Sequence, residues 1–215
     1  MTTRHILSNV MRPLVAAACL LVGTGCGSEL LRTGRAPVIL IIEQLAAAGG
    51  DEPDDFATPL LSDVQAVVDD IPTIFNDLGR ATLRAELKDQ SGFIVRDPLN
   101  PVTAPTPTPL NAVTITRYRV NYRRSDGRNT PGVDVPFGFD GAVTITIPPG
   151  DSADVIFDLV RHAAKSEPPL RNLTGGGGLR FISTVAEVTF FGRDQNGNEV
   201  MATGAIDVVF GDFGD

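Results

Sequence analysis

The 215-residue sequence predicts an all-β protein, an antiparallel β-sandwich of seven to nine strands. Short segments in which apolar and polar residues alternate recur along the chain, as in strands with one buried face. Turn-forming residues separate these segments, and the chain holds 22 glycines and 16 prolines. Little of the sequence has clear helical periodicity, and no internal repeat is visible. Together these features are typical of a turn-rich sandwich.

The clearest element is a predicted hairpin over residues 185–210. One apolar face repeats at every second residue before its turn: Ala186, Val188 and Phe190. A three-residue loop, 195–197, with Gly197 in the left-handed region, would place Phe190 opposite Ala202 and so join the apolar faces of both strands. A two-residue loop would set the apolar face of one strand against the polar face of the other.

Further strands are predicted where apolar residues alternate or form short continuous runs. They lie at residues 38–42, 63–68, 80–88, 113–124, 143–147 and 179–191. In the segment 113–124, the apolar residues change parity after Ile115, which predicts a β-bulge near Thr116.

Two segments fit both a helix and a strand. For residues 43–48, periodicity does not decide between the two. Residues 152–165 carry a helical stripe behind a Ser/Asp cap. They also fit a strand with Val155, Phe157 and Leu159 inward, and the preceding Pro-Pro-Gly turn favours the strand.

Residues 97–109 carry five prolines and cannot lie inside a sheet. The chain before them offers only about three strands, too few to bury a core alone. We therefore interpret this stretch as a long loop within one sandwich domain, residues 37–215. The pattern of strands resembles the immunoglobulin-like architecture, without the disulfide and the core tryptophan of antibody domains.

The N-terminus has the features of an export signal. Arg4 and Arg12 precede an apolar run, residues 14–22, that is too short to span a bilayer as a stable helix. The small residues before Cys26 resemble a bacterial lipoprotein signal, in which the cysteine is diacylated and becomes the new N-terminus. This resemblance implies a signal peptide over residues 1–25 and a tether over 26–36.

The residue after the lipidated cysteine indicates the membrane to which a lipoprotein is sorted. By resemblance to the lipoprotein class, Gly27 in place of aspartate implies the outer membrane of a double-membrane bacterium. The alternative is an ordinary secretory signal that is cut near Gly25.

Charge and cysteine content limit the possible functions. Without residues 1–25, 16 basic and 26 acidic residues remain, a net charge of −10. This charge argues against nucleic acid as a partner and against electrostatic attachment to anionic lipids. Both cysteines lie in the signal and anchor, so the folded part forms no disulfide. No cofactor is predicted.

The chain is also similar to uncharacterised lipoproteins of environmental bacteria. Three segments carry this similarity: residues 75–79, 126–134 and 166–170. The similarity implies no known activity and transfers no functional residue.

The sequence contains no recognisable catalytic set. His162 is the only histidine that remains after signal cleavage, and we interpret it as structural. The glycine-rich stretch 174–178 lacks the Lys-Ser/Thr of a phosphate-binding loop and is interpreted as a flexible loop. A hydrolase or carbohydrate-active enzyme that uses loop carboxylates such as Asp134 and Asp140 is kept as an alternative.

A calcium-stabilised adhesion module is the second alternative. Oxygen-bearing side chains alternate from Asp194 to Glu199, as in calcium loops, and residues 51–55 are acidic. A bulged hairpin turn needs the same residues at 194–198, so no metal ligand is assigned.

Five arginines are the strongest ligand-binding candidates in this acidic chain: Arg117, Arg119, Arg123, Arg124 and Arg128. Arginines on one face beside tyrosines could hold phosphate, a glycan carboxylate or an acidic patch of a partner. Alternatively, they form a solvated strand face that protects a sheet edge. The sequence thus predicts a lipid-anchored, non-enzymatic cell-envelope protein, with an envelope protein or a glycan as its partner.

Overall fold

The structure, a computed structural model, describes residues 34–88, 107–177 and 179–213. The described residues from Ala36 onward form one compact unit. The described part contains ten strands: β1 (Val38–Ala48), β2 (Leu60–Asp63), β3 (Ala66–Val68), β4 (Ile71–Thr73), β5 (Asp77–Leu87), β6 (Val113–Arg123), β7 (Phe139–Ile147), β8 (Ser152–Val160), β9 (Phe181–Asp194) and β10 (Glu199–Gly211). A single helical turn, α1 (His162–Lys165), follows β8, and two short 3-10 turns lie at Pro109–Asn111 and Leu170–Leu173.

Two sheets enclose the core and confirm the all-β sandwich. One sheet has the strand order β1-β5-β8 and the other β2-β10-β9-β6-β7, while β3 and β4 form a separate small hairpin. The sandwich therefore has eight strands, within the predicted range. All pairs in these sheets are antiparallel except β2 with β10, which is parallel.

The strand order is that of an immunoglobulin-like domain. In such domains one sheet contains A, B and E, and the other contains G, F, C and, in variable-type domains, C′. Here β1-β5-β8 corresponds to the first set and β10-β9-β6-β7 to the second. Since β1 and β5 precede the proline-rich stretch and β8 follows it, chain segments from both sides of that stretch build the same sheet.

The predicted hairpin register is confirmed. Phe190 lies opposite Ala202 and Ala186 opposite Ile206 in β9 and β10. Gly197 has a φ of +83°, the left-handed conformation that the three-residue loop requires. The bulge in β6 is also present, since the register shifts between Ile115 and Arg117.

Both ambiguous segments begin as strands. Residues 43–48 continue β1 after a bulge between Ile42 and Gln44. Residues 152–160 form β8, whose Val155, Phe157 and Leu159 are buried as predicted, and α1 takes the last part of the segment. The segment at 63–68 differs from the prediction, because a bend at Val64 and Gln65 divides it between β2 and β3.

Aromatic rings fill the centre of the sandwich. The ring centroid of Phe157 lies 5.0 Å from that of Tyr118 and 5.3 Å from that of Phe190. Tyr118 faces Gly141 across β6 and β7, where a Cβ atom would overlap its ring. These tightly packed rings bury the apolar area that a small domain without disulfides needs for stability.

Several predictions concern residues outside the described ranges. These are the signal peptide over residues 1–25, Cys26, most of the tether and the proline-rich stretch up to residue 106. In the described part of the chain, no helix has the length and apolar character needed to cross a membrane.

Candidate binding face

The outer side of the five-stranded sheet carries the arginines of β6. Because side chains alternate along a strand, burial of Tyr118 and Val120 turns Arg117 and Arg119 outward. Pairing with β7, β9 and β10 then aligns outward side chains across the sheet. We call this surface the arginine face; it comprises Arg117, Arg119, Asp140, Thr189, Phe191, Met201 and Thr203.

Asp140 of β7 holds both arginines of the face. The Arg119 guanidinium donates to both of its carboxylate oxygens, Nε to Oδ1 at 2.7 Å and Nη2 to Oδ2 at 3.1 Å. Arg117 Nη1 donates to Oδ2 at 3.4 Å. Two parallel hydrogen bonds fix the orientation of a guanidinium much better than one does.

Phe191 of β9 also contacts both arginines through its ring. The guanidinium carbon of Arg117 lies 4.0 Å from the ring centroid, and that of Arg119 lies 5.8 Å from it. A cation within about 6 Å of a ring face is attracted by the ring quadrupole. The face therefore presents its arginines in fixed positions, with side chains that are 43% and 46% exposed.

The arginines stabilise the ionised form of Asp140. The Arg119 hydrogen bond, with help from Arg117, lowers the pKa of this carboxyl below its ordinary value. Asp140 is thus ionised at neutral pH and accepts hydrogen bonds. A carboxylate in this state is unsuited to act as the general acid of a glycosidase, which needs a raised pKa.

The other three predicted arginines lie farther along the chain and have their own partners. Arg123 pairs with Glu187 at 2.8 Å, on the same side of the sheet. Arg124 and Arg128 lie in the turn after β6, where both contact Asp126. The Arg124 hydrogen bond lowers the pKa of Asp126 well below its ordinary range. All five arginines are therefore ion-paired, and an anionic ligand would have to compete with three carboxylates.

Other sequence candidates serve local structure. Asp134 accepts a hydrogen bond from the Thr130 amide at 3.2 Å within its turn. The Asp194 carboxylate accepts from the Asn196 and Asn198 amides at 3.0 and 2.8 Å, as the hairpin turn requires. His162 contacts the Asn76 side chain through Nδ1, at 2.9 Å. Among the described residues, no three His, Cys, Asp or Glu side chains are grouped as metal ligands.

A buried ionic cluster that no sequence pattern indicates lies at one end of the sandwich. Lys165 Nζ lies 2.7 Å from Asp77 Oδ1, and both side chains are almost fully buried. The Ser62 hydroxyl donates to Asp77 Oδ2 at 2.5 Å, and the Gly50 amide donates to Oδ1 at 3.0 Å. Burial raises the pKa of the Asp77 carboxyl, while these donors act in the opposite direction. Ser62, Asp77 and Lys165 are all buried, so the cluster is not open to a ligand. Its contacts connect β2, β5 and α1.

No protein-family model matches the chain, and no curated protein matches it. The X-ray structure of Northeast Structural Genomics Consortium target SoR45 is similar at 10% sequence identity and a TM-score of 0.34. The match covers 80% of this chain and 86% of that one.

Proposed function

We propose that the protein is a lipid-anchored, non-catalytic component of the bacterial cell envelope that binds a partner protein through the arginine face. One observation carries the binding part of this proposal. On an open sheet surface, Arg117 and Arg119 are held in place between the ring of Phe191 and the carboxylate of Asp140. Side chains ordered before binding lose little conformational entropy when a partner arrives.

The composition of the face favours a protein partner. Arginine, methionine and aromatic residues are enriched in interface cores, whereas lysine and glutamate are depleted there. Met201 is 39% exposed beside Phe191. Asp140 and Glu187 neutralise much of the positive charge on this side. A partner surface of mixed polarity therefore suits the face better than a polyanion does.

The N-terminal sequence supports the proposed location in the cell envelope. The basic residues, the short apolar run and the small residues before Cys26 are typical of lipoprotein signals. Two or three acyl chains would anchor the protein stably, since each buried CH2 contributes about 0.8 kcal/mol. A tether of about ten residues would then leave the sandwich free to meet a partner beside the outer membrane.

Site-specific photocrosslinking in intact cells tests the binding part. A photoreactive residue at Thr203 should give one dominant protein adduct, because this position lies on the arginine face. Thr82 is the matched control, since it lies on the outer side of the other sheet and also has a side-chain partner. We expect no adduct there.

The arginine contribution is tested in the same experiment. Arg117→Ala with Arg119→Ala should reduce the Thr203 adduct at least tenfold, while Arg84→Ala should leave it unchanged. Arg84 is a suitable control because it is also an ion-paired, half-exposed arginine, but on the opposite sheet. Equal adducts at Thr203 and Thr82, or an adduct insensitive to the double substitution, would refute binding through this face. An adduct to a glycan instead of a protein would refute the choice of partner.

A further inference from the structure

A small pocket lies beside the start of β7, between the segment 136–139 and α1. Its apolar wall is formed by Pro136, Phe137, Phe139 and Pro168, and its two charged lining residues are Arg161 and Glu167. The volume of about 140 Å³ is below that of drug-sized ligand pockets, about 300–1,000 Å³. The pocket therefore has room for one small chemical group.

Arg161 is fixed in position at this pocket. Its guanidinium carbon lies 3.8 Å from the centroid of the Phe139 ring, and Nη2 donates to the Asp140 carbonyl oxygen at 2.9 Å. Stacking on a ring and a hydrogen bond together orient the plane of the guanidinium.

The charge of Arg161 is not neutralised by an ion pair within the described residues, in contrast to the five arginines discussed above. Glu167 is exposed and lines the same pocket without an ion pair to Arg161 in that part of the chain. A planar cation beside an apolar wall has the chemistry that recognises a carboxylate bound to an apolar group. The ring of Phe137 is 57% exposed, and the apolar group of a ligand would shield it from water.

We propose that this pocket binds a carboxylate carried by a short apolar group, with Arg161 as its ion-pair partner. The carboxylate could belong to the C-terminus of a polypeptide or to a free organic acid, since both present the same chemistry. The inference goes beyond the proposed function, because Arg161 lies outside the arginine face. Asp140 separates the two: its carboxylate binds Arg119, and its carbonyl oxygen binds Arg161.

Nuclear magnetic resonance titration of the complete protein in detergent micelles tests the proposal. Labelling with 15N-arginine and 15N-phenylalanine gives signals from the Arg161 side chain and from the amides of Phe137 and Phe139. The probes are N-acetyl-Ala-Phe with a free carboxylate, the same dipeptide as its C-terminal amide, and phenylacetate. We expect saturable shifts at these signals with a carboxylate and at least tenfold weaker binding of the amide.

Variants distinguish the ionic contact with Arg161 from nonspecific binding. Arg161→Gln should weaken binding at least tenfold, whereas Arg193→Gln, at an exposed arginine of β9, should not change it. Arg161→Lys should keep part of the affinity because it keeps the charge but loses the planar fork. Glu167→Gln should strengthen binding, since it removes a negative charge that would repel the carboxylate of the ligand.

The outcomes show whether the pocket binds a carboxylate and which class of molecule carries it. Binding of the dipeptide alone would assign the pocket to polypeptide C-termini, and binding of phenylacetate alone would assign it to free organic acids. Equal binding of the acid and the amide, no saturable shift, or full binding by a folded Arg161→Gln variant would overturn the proposal. Because Arg117 and Arg119 are unchanged in these variants, failure here leaves the proposed protein-binding face untouched.

Discussion

At the scale of a single residue, the hydroxyl group of Tyr122 links the two sheets. It donates to the Leu159 carbonyl oxygen at 2.6 Å, and both groups are buried. Burial raises the pKa of Tyr122 far above its ordinary value, so the hydroxyl remains a donor at any working pH. The ring also packs edge-on against Phe210 at 5.7 Å.

Tyr122→Phe should lower the free energy of unfolding by about 1–2 kcal/mol, because it removes a buried hydrogen bond but keeps the ring packing. Urea denaturation measures the change. Thr144→Val, at an exposed position of β7, should shift stability by less than about 0.5 kcal/mol. Wild-type stability in Tyr122→Phe would show that this hydrogen bond has no net value.

Lys165→Met should be far more destabilising, by about 3–5 kcal/mol at neutral pH, because it leaves the Asp77 carboxylate buried and unpaired. Adding Asp77→Asn should recover part of the loss, since no buried charge remains. Chemical denaturation of both variants makes the comparison. A double variant less stable than Lys165→Met alone would contradict the electrostatic explanation.

The same variant should depend on pH in a defined direction. Burial raises the pKa of Asp77 in the folded state, and Lys165 opposes this rise. Without Lys165 the folded state takes up a proton more readily than the unfolded chain. Stability of Lys165→Met should therefore be greatest below the ordinary carboxyl pKa and fall as pH rises through the raised one. Its deficit relative to the wild type should be smaller at pH 4 than at pH 8.

At the scale of elements, the β9–β10 hairpin shows how far sequence patterns reach. The alternation of the apolar faces predicts both the register and the left-handed residue, because a shift of one position would turn every core side chain outward. The turn confirms this reasoning, with Gly197 N donating to the Asp194 carbonyl oxygen at 3.0 Å.

Gly197→Ala should destabilise the protein by about 1 kcal/mol, since alanine is strained at a φ of +83°. Gly197→Asn should cost less, because asparagine tolerates this region. No other atom lies within 4 Å of the position that a Cβ would take, so the effect is conformational and not steric. Thermal unfolding of the two variants should rank asparagine above alanine, and the reverse order would contradict the assigned turn.

Other elements had no sequence signal of this kind. The β3–β4 hairpin turns at Asp69 and Asp70, both with positive φ, and lacks the glycine that usually marks such a turn. The parallel pairing of β2 with β10 joins segments about 150 residues apart in the chain. Likewise, the Asp77–Lys165 pair spans 88 positions. Local periodicity carries no information on which distant segments become neighbours.

At the scale of the whole molecule, alternating burial in a chain with little helical periodicity predicts a sandwich, since without helices two apolar sheet faces can be buried against each other. The sequence predicts that the arginines of β6 lie together, but it does not predict their partners. Asp140 and Glu187 meet them only through the pairing of β7 and β9 with β6, and no tight turn fixes the β6–β7 register. The sequence pattern thus predicted where positive charge would concentrate and could not predict its neutralisation.

Lipid attachment at Cys26 is the central proposal about the whole protein, because it would determine which partners the arginine face can meet. Mass spectrometry of the N-terminal peptide from protein extracted from native membranes tests it most directly. We predict a peptide that begins at Cys26 and carries a diacylglyceryl group on its sulfur. An unmodified peptide that begins near Gly25, or at any other residue, would contradict it.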